Sequence, residues 1–181
     1  MKPVGLLMTE HRLIERMLEI LRREAEHAES AQCIDVALLD AAVDFIRWYA
    51  DRTHHAKEES ILFRDLASKE LSPADRSLME ELLEDHNFGR KTVGQLVEAK
   101  EKYRQGAYDA LATIVEKCRT LVTFYHEHIY KEDNLFFPAS LNYLSDGEQK
   151  AMLDEFAESD RKMIHAKYGA VVEQYENSLM G

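Results

Sequence analysis

A ten-residue phrase occurs twice in this 181-residue chain and restricts its folds more than any other feature. His54-His-Ala-Lys-Glu58-Glu-Ser-Ile-Leu-Phe63 returns 74 residues later as His128-Ile-Tyr-Lys-Glu132-Asp-Asn-Leu-Phe-Phe137. Each copy holds a His and a Glu four apart, one helical turn, so both project from one face. His11 lies 43 residues before His54, and His86 lies 42 before His128. An acid precedes each of these two, Glu10 and Asp85. The chain therefore reads as two equivalent helical hairpins, each with one His on its first helix and HxxxE on its second.

Only seven Gly and three Pro interrupt a sequence rich in Leu, Ala, Glu and Lys, which predicts an all-α protein. At this length a single domain spanning 1–181 can bury a proper core. Five helices are expected. The first covers about 3–29, with Leu7, His11, Ile14, Leu18 and Leu21 on one face. Ser30 to Ile34 form a connection, and Asp35 is a suitable N-cap. The second helix runs to about Lys69 with Val43, Ile46, Ala50, His54, Glu58 and Ile61 inward. Ser72-Pro73 starts the third, which carries Leu82, His86, Val93 and Val97 and ends near Gly106. The fourth carries Leu111, Ile114, Cys118, Leu121, Tyr125, His128, Glu132 and Leu135, and stops at Pro138. Ser145 and Glu148 form a capping box that opens a fifth helix over about 146–179. The apolar positions of that helix, including Met152, Phe156, Met163, Val171 and Tyr175, must cover the bundle or a second subunit.

In an up-down-up-down bundle, residues on consecutive helices share a level when they are equally far from the turn between them. The midpoint of His11 and His54 falls at 32–33, that of His54 and His86 at 70, and that of His86 and His128 at 107. Each is a turn placed on independent grounds. Four His at one height on apolar stripes would each need a buried partner, which makes a metal cluster the expectation over a metal-free polar core. Imidazole with carboxylate suits a divalent transition metal such as iron, manganese or zinc. His11, His54, Glu58, His86, His128 and Glu132 exceed the needs of one ion; two ions bridged by the carboxylates use all six and leave positions open. Structural zinc needs only four ligands, usually with Cys. A ferritin-type site needs paired ExxH, and only Glu24 to His27 fits that pattern, unpaired.

His55 lies about 100° round the helix from His54; it orients a ligand or faces solvent, with replacing or supplementing a ligand as the alternative. Glu59 and Asp133 stand five residues after the two repeat histidines, as alternative bridges or as orienting groups for the imidazoles. His126 is expected in solvent. His165 overshoots the site if the fifth helix is straight and stays a minor candidate. Tyr49 and Tyr125 lie near the site, as core residues or as donors to a bound ligand.

Net charge of −11 and the lack of Lys/Arg clusters exclude a nucleic-acid binder. No apolar run approaches ~18 residues, so no membrane span is expected. The N-terminus turns polar too early for a signal peptide. Two Cys without a CxxC fit a reducing compartment, and cytoplasm is the expected location. Cys33 falls in a loop; Cys118 reads as a small core residue rather than a reactive thiol.

The paired HxxxE, with its flanking "EE…LF" and "KED…FFP", resembles the hemerythrin family, specifically the HHE cation-binding branch, over about residues 6–138. The resemblance implies a four-helix bundle holding two non-haem irons joined by an oxygen bridge and two carboxylates. It assigns His11, His54 and Glu58 from one hairpin, and His86, His128 and Glu132 from the other. Oxygen-carrying hemerythrins have a second His one turn after the position of His86, where this chain has Arg90. They also place the last carboxylate at the position of Asp133 rather than Glu132. Four His with two Glu is more similar to bacterial proteins that repair iron centres and to iron-sensing domains. Arg90 pairs with a bridging carboxylate or an acid at the mouth, or else is a surface Arg with an inward stem. The expected function is a di-iron protein that binds O2, NO or a related small ligand for sensing, storage or transport. The alternative is an enzyme or repair protein: peroxide or NO reduction, or iron delivery to damaged clusters. A third reading makes the fifth helix a surface for a protein partner or a homo-oligomer.

Overall fold

The computed structural model describes the backbone of residues 2–179, and in the last helix the side chains through Met163 and at Lys167. Five helical rods account for most of the described residues. They are α1 (Pro3–Ala31), α2 (36–67), α3 (Pro73–Arg104), α4 (110–140) and α5 (Asp146–Leu179). Among the described residues there is no strand, and no helix is long and apolar enough to cross a membrane.

The punctuation follows from side-chain chemistry. Gln32 takes a left-handed φ of 54° and ends α1 two residues later than the sequence predicts. The Asp35 carboxylate accepts from the N–H groups of Ala37 and Leu38 at the start of α2. Ser72 accepts from Asp75 N–H, and Pro73 fills the first turn of α3. Gly106, at φ 96°, makes the turn towards α4. Ser145 and Glu148 form the expected reciprocal cap on α5.

Two expectations need correction. The fourth rod does not stop at Pro138: after the π-helical turn a new α-helical segment, Phe137–Ser140, begins, and the proline sits in the first turn of that segment, where no intrahelical N–H is required. Leu135 is 49% exposed while Phe136 is buried, because a π-helical turn over Glu132–Phe136 shifts the inward face by one residue. On α3, Val97 packs half-buried against the core as expected, beside the fully buried Leu96.

Two apolar cores form, one at each end of the bundle. The first gathers Ile14, Leu18, Leu21, Leu39, Leu96, Ile114 and Leu121 among others. The second gathers Leu7, Leu62, Phe63, Leu82, Phe136 and Phe137, together with Met152 and Phe156 of α5. The fifth helix thus covers α1 and α2 along its described part. Ion pairs from Arg64 to Glu155 and from Lys167 to Asp44 run beside the apolar contact. Between the two cores lies a polar layer.

Candidate metal centre

That polar layer holds every histidine the repeat singles out. His11 sits between Leu7 and Ile14 on α1, His54 between Ala50 and Ile61 on α2. His86 sits between Leu82 and Val93 on α3, and His128 between Tyr125 and Phe136 on α4. All four are at most 1% exposed, and so are Glu58 and Glu132. The level predicted from the turn midpoints is therefore the level at which they meet.

The backbone is not plain α-helix here. In α2 the segments Ile46–His55 and Glu58–Phe63 are π-helical, as is Glu132–Phe136 in α4. Bonds from i to i+5 put more than 3.6 residues in each turn, so successive side chains are separated by less than 100°. One consequence is that His54 and His55 are both buried. Of the two expected places for His55, solvent is ruled out: the ring is buried and stacks on that of His86, with Nδ1 3.6 Å from Asp51.

Each glutamate spans two halves of the cluster. Glu58 places Oε1 3.3 Å from Nε2 of His54 and Oε2 3.3 Å from Nε2 of His86. Glu132 places Oε2 3.1 Å from Nε2 of His11 and Oε1 3.3 Å from Nε2 of His128. Two atoms each ~2.1 Å from a shared ion, at roughly right angles, would be ~3 Å apart. Candidate ligand atoms of His11, His54, Glu58 and Glu132 lie within 4.8 Å of one another, and so do those of His55, His86 and His128.

The far side of each ring is equally ordered. Nδ1 of His11 donates to Asp133 at 2.7 Å, and Nδ1 of His54 to Glu10 at 2.9 Å. Nδ1 of His86 donates to Glu59 at 2.7 Å, and Nδ1 of His128 to Asp85 at 3.2 Å. An ionised carboxylate only accepts, so each Nδ1 carries the proton and Nε2 is left for the interior. A cation backs each carboxylate: Arg12 on Asp133, Lys57 on Glu10, Arg90 on Glu59 and Lys131 on Asp85. Glu59 and Asp133 are therefore orienting groups rather than bridges in this structure. Each holds the first histidine of the other hairpin, while Glu10 and Asp85 hold the HxxxE histidine of their own. The signal for the latter pair was present as the acid before His11 and before His86, but adjacency in sequence did not reveal a partner on another helix.

Charge and burial show what the cluster lacks. Burial alone would push the imidazole of His11 down, but Asp133 and Glu132 outweigh it and raise it to about 10. Burial is likewise outweighed at His86, which Glu132, Glu58 and Glu59 raise to about 11. At His55 burial, aided by the charge of His86, holds the ring well below its ordinary value. Burial would raise Glu58, yet the charges and hydrogen bonds of His54 and His86 keep its carboxyl well below the usual range. Nine buried side-chain N or O atoms among the described residues have no hydrogen-bond partner. They are Nε2 of His11, His54, His86 and His128, Nδ1 of His55, and both oxygens of Glu58 and Glu132. At ~1–3 kcal/mol each, their desolvation would approach or exceed a domain's whole ~5–15 kcal/mol of stability. The Nε2–carboxylate contacts offset part of this. Cations drawn to the bare oxygens and nitrogens would offset the rest, so the donor set fits transition-metal ions.

The other candidates separate cleanly. Arg90 turns outward, with Nε 2.8 Å from Asp51 and Nη2 2.5 Å from Glu59; it meets these outer acids and neither Glu58 nor Glu132. Tyr125 is buried, and its ring lies parallel to that of His55 with centroids 6.2 Å apart. Tyr49 packs on Phe45 and lines an outer groove with Glu10 and Asp160, away from the cluster. His126 is exposed, as expected. The side chain of His165 lies outside the described residues. A cavity of about 100 Å³ reaches the layer, lined by Asp51, His55, Arg90 and Tyr125 among others. A groove of about 1100 Å³ runs along the α4 surface past Phe88, Tyr108 and Phe124, with Asp85 also in its wall.

Residues 2–140 match the family model of the hemerythrin HHE cation binding domain. Uncharacterized proteins of Mycobacterium tuberculosis and Mycobacterium bovis are 22% identical over 169 residues. The match takes in 93% of this chain and 65% of theirs, so the chain spans about two thirds of the length of these relatives.

Proposed function

The chain belongs to the hemerythrin HHE cation-binding family, and from that premise we propose that its polar layer holds two non-haem irons. The observation that carries this is the splitting of each glutamate. Glu58 faces His54 with one oxygen and His86 with the other, and Glu132 divides its oxygens between His11 and His128. One iron would be held by His11 and His54, the other by His86 and His128, with both carboxylates bridging. Such a centre supplies a redox change and open positions at which O2, NO or a related small ligand is taken up.

The protein's own groups set the terms of that uptake. The four Nδ1–carboxylate bonds fix the tautomer and aim of the rings of His11, His54, His86 and His128 before metal arrives. The two apolar cores keep bulk water from the layer. A cavity of about 100 Å³ beside the layer, lined by His55 and Tyr125 among others, has room for a small ligand. The functional reading is a binding module for sensing, storage or transport of such a ligand.

The test is metal content and the absorption spectrum of anaerobically purified protein, before and after exposure to air, NO or azide. About two irons per chain with new near-ultraviolet bands is the expected result. No iron after reconstitution, or iron with no spectral response to any of the three, would sink the reading. Turnover of peroxide or NO above a Glu58→Ala/Glu132→Ala control would make the site an enzyme instead of a carrier or sensor.

A further inference from the structure

Four of the five buried imidazoles in the polar layer have a carboxylate behind them. The fifth, His55, has none. Its Nδ1 is among the buried atoms without a partner, 3.6 Å from Asp51 and beyond hydrogen-bonding distance. Arg90 has taken both nearby acids, Asp51 and Glu59. A histidine kept only for packing would not be placed where its polar atom costs ~1–3 kcal/mol, when a Leu or Phe would fill the space.

The position of His55 is equally telling. Its ring lies on His86 with centroids 3.9 Å apart and planes 13° apart, and edge-on to His128 at 5.7 Å. A donor atom of His55 falls within 4.8 Å of donor atoms of both, the same spread that unites the first half of the site. The Arg90 side chain, one turn after His86, points away from the layer to these outer acids. The π-helical segment Ile46–His55 brings an imidazole from the neighbouring helix to the same half.

We propose that His55 is the third imidazole ligand of the second iron, alongside His86 and His128. The proposal rests on the di-iron reading above and makes the two irons unequal, two imidazoles on one and three on the other. Parallel rings cannot both direct an in-plane lone pair at one ion, so His55 turns out of the stack on metal binding. The cavity of about 100 Å³ that it lines gives the ring room to do so.

The test compares iron-loaded wild type with His55→Gln, which keeps a polar side chain of similar length. Wild type should hold two irons with two distinct Mössbauer signals. In the variant one signal should change and the other persist, and a chelator should remove one iron more than ~10-fold faster, the range in which orienting partners already act. Two irons in wild type, with signals and chelator kinetics unchanged in His55→Gln, would overturn the role of His55 and leave the di-iron reading standing. Fewer than two irons in wild type would overturn both. If circular dichroism shows that the variant does not fold, nitrogen NMR of zinc-loaded wild type decides alone: a His55 nitrogen at a ligated shift supports the proposal, and two free imidazole nitrogens defeat it.

Discussion

Arg90 sets its Nη2 2.5 Å from Oε1 of Glu59, the same oxygen that accepts from Nδ1 of His86. The residue one turn after His86 is thus tied to it through Glu59. Arg90→Leu should loosen Glu59 and let the His86 ring rotate. Metal affinity should fall roughly 10–100-fold, the usual cost of losing an orienting partner. Stability should change by less than about 1 kcal/mol, since Arg90 is 36% exposed and its ion pairs are largely hydrated. Chelator competition alongside a thermal melt separates the two effects; equal affinity in wild type and variant would reduce Arg90 to a surface pair.

Metal removal should be felt by the whole fold. The unpartnered atoms lie between two apolar cores, so a ligand that binds only the folded state stabilises all of it. At a free metal concentration near 100 times Kd the gain is ~2.7 kcal/mol. For a chain of this size that raises Tm by about 5–10 °C. Differential scanning calorimetry with and without chelator checks it. The Glu58→Ala/Glu132→Ala protein should show no such shift.

Much of this was legible before any coordinates. The repeat gave the helices, the turns gave the level, and His11, His54, Glu58, His86, His128 and Glu132 do converge. Two of the misreadings share one physical origin. Reading each segment at 3.6 residues per turn favoured an outer place for His55 and an inward one for Leu135; where the bonds run to i+5, His55 is buried and Leu135 is half exposed. A hint lay in α2 itself, where Ile46, Ala50, His54 and Glu58 follow one another in steps of four, a spacing that drifts off one face of a regular α-helix. The cations were missed for another reason. Lys57 and Lys131 sit at the same place in both copies of the phrase, but on a single helix they look like ordinary solvated residues.

Cys118 and Cys33 should differ sharply in reactivity. Burial, helped by the charge of Glu24, pushes the Cys118 thiol up to about 12, whereas Cys33 is exposed. An aromatic disulfide reagent at mildly alkaline pH should modify one thiol in the native protein and two in denaturant. Because the folded value lies above the ordinary 9.0, the contribution of Cys118 to stability is full below that pH and is lost as pH rises towards 12. The stability difference between wild type and Cys118→Ala should therefore narrow across that window. Two fast thiols in the native state would place Cys118 outside the core.

Lys57 carries the link between α5 and the polar layer. It is fully buried, paired with Glu10 on one side and with Asp160 of α5 at 2.8 Å on the other. Glu10 in turn holds Nδ1 of His54. Lys57→Met keeps the stem but strips both carboxylates of their cation. Breaking a buried pair in this way costs ~3–5 kcal/mol, and the lower end applies because Glu10 and Asp160 stay partly hydrated. Tm should drop by about 6–12 °C. Asp160→Asn leaves Lys57 with Glu10 and removes only the more exposed partner, so its loss should be well under half as large. Metal affinity should follow the same order, because only Lys57→Met frees Glu10 to swing from His54. If both variants melt like wild type, α5 merely lies over the bundle; if Asp160→Asn is the worse of the two, the helix holds the site through contacts other than this lysine.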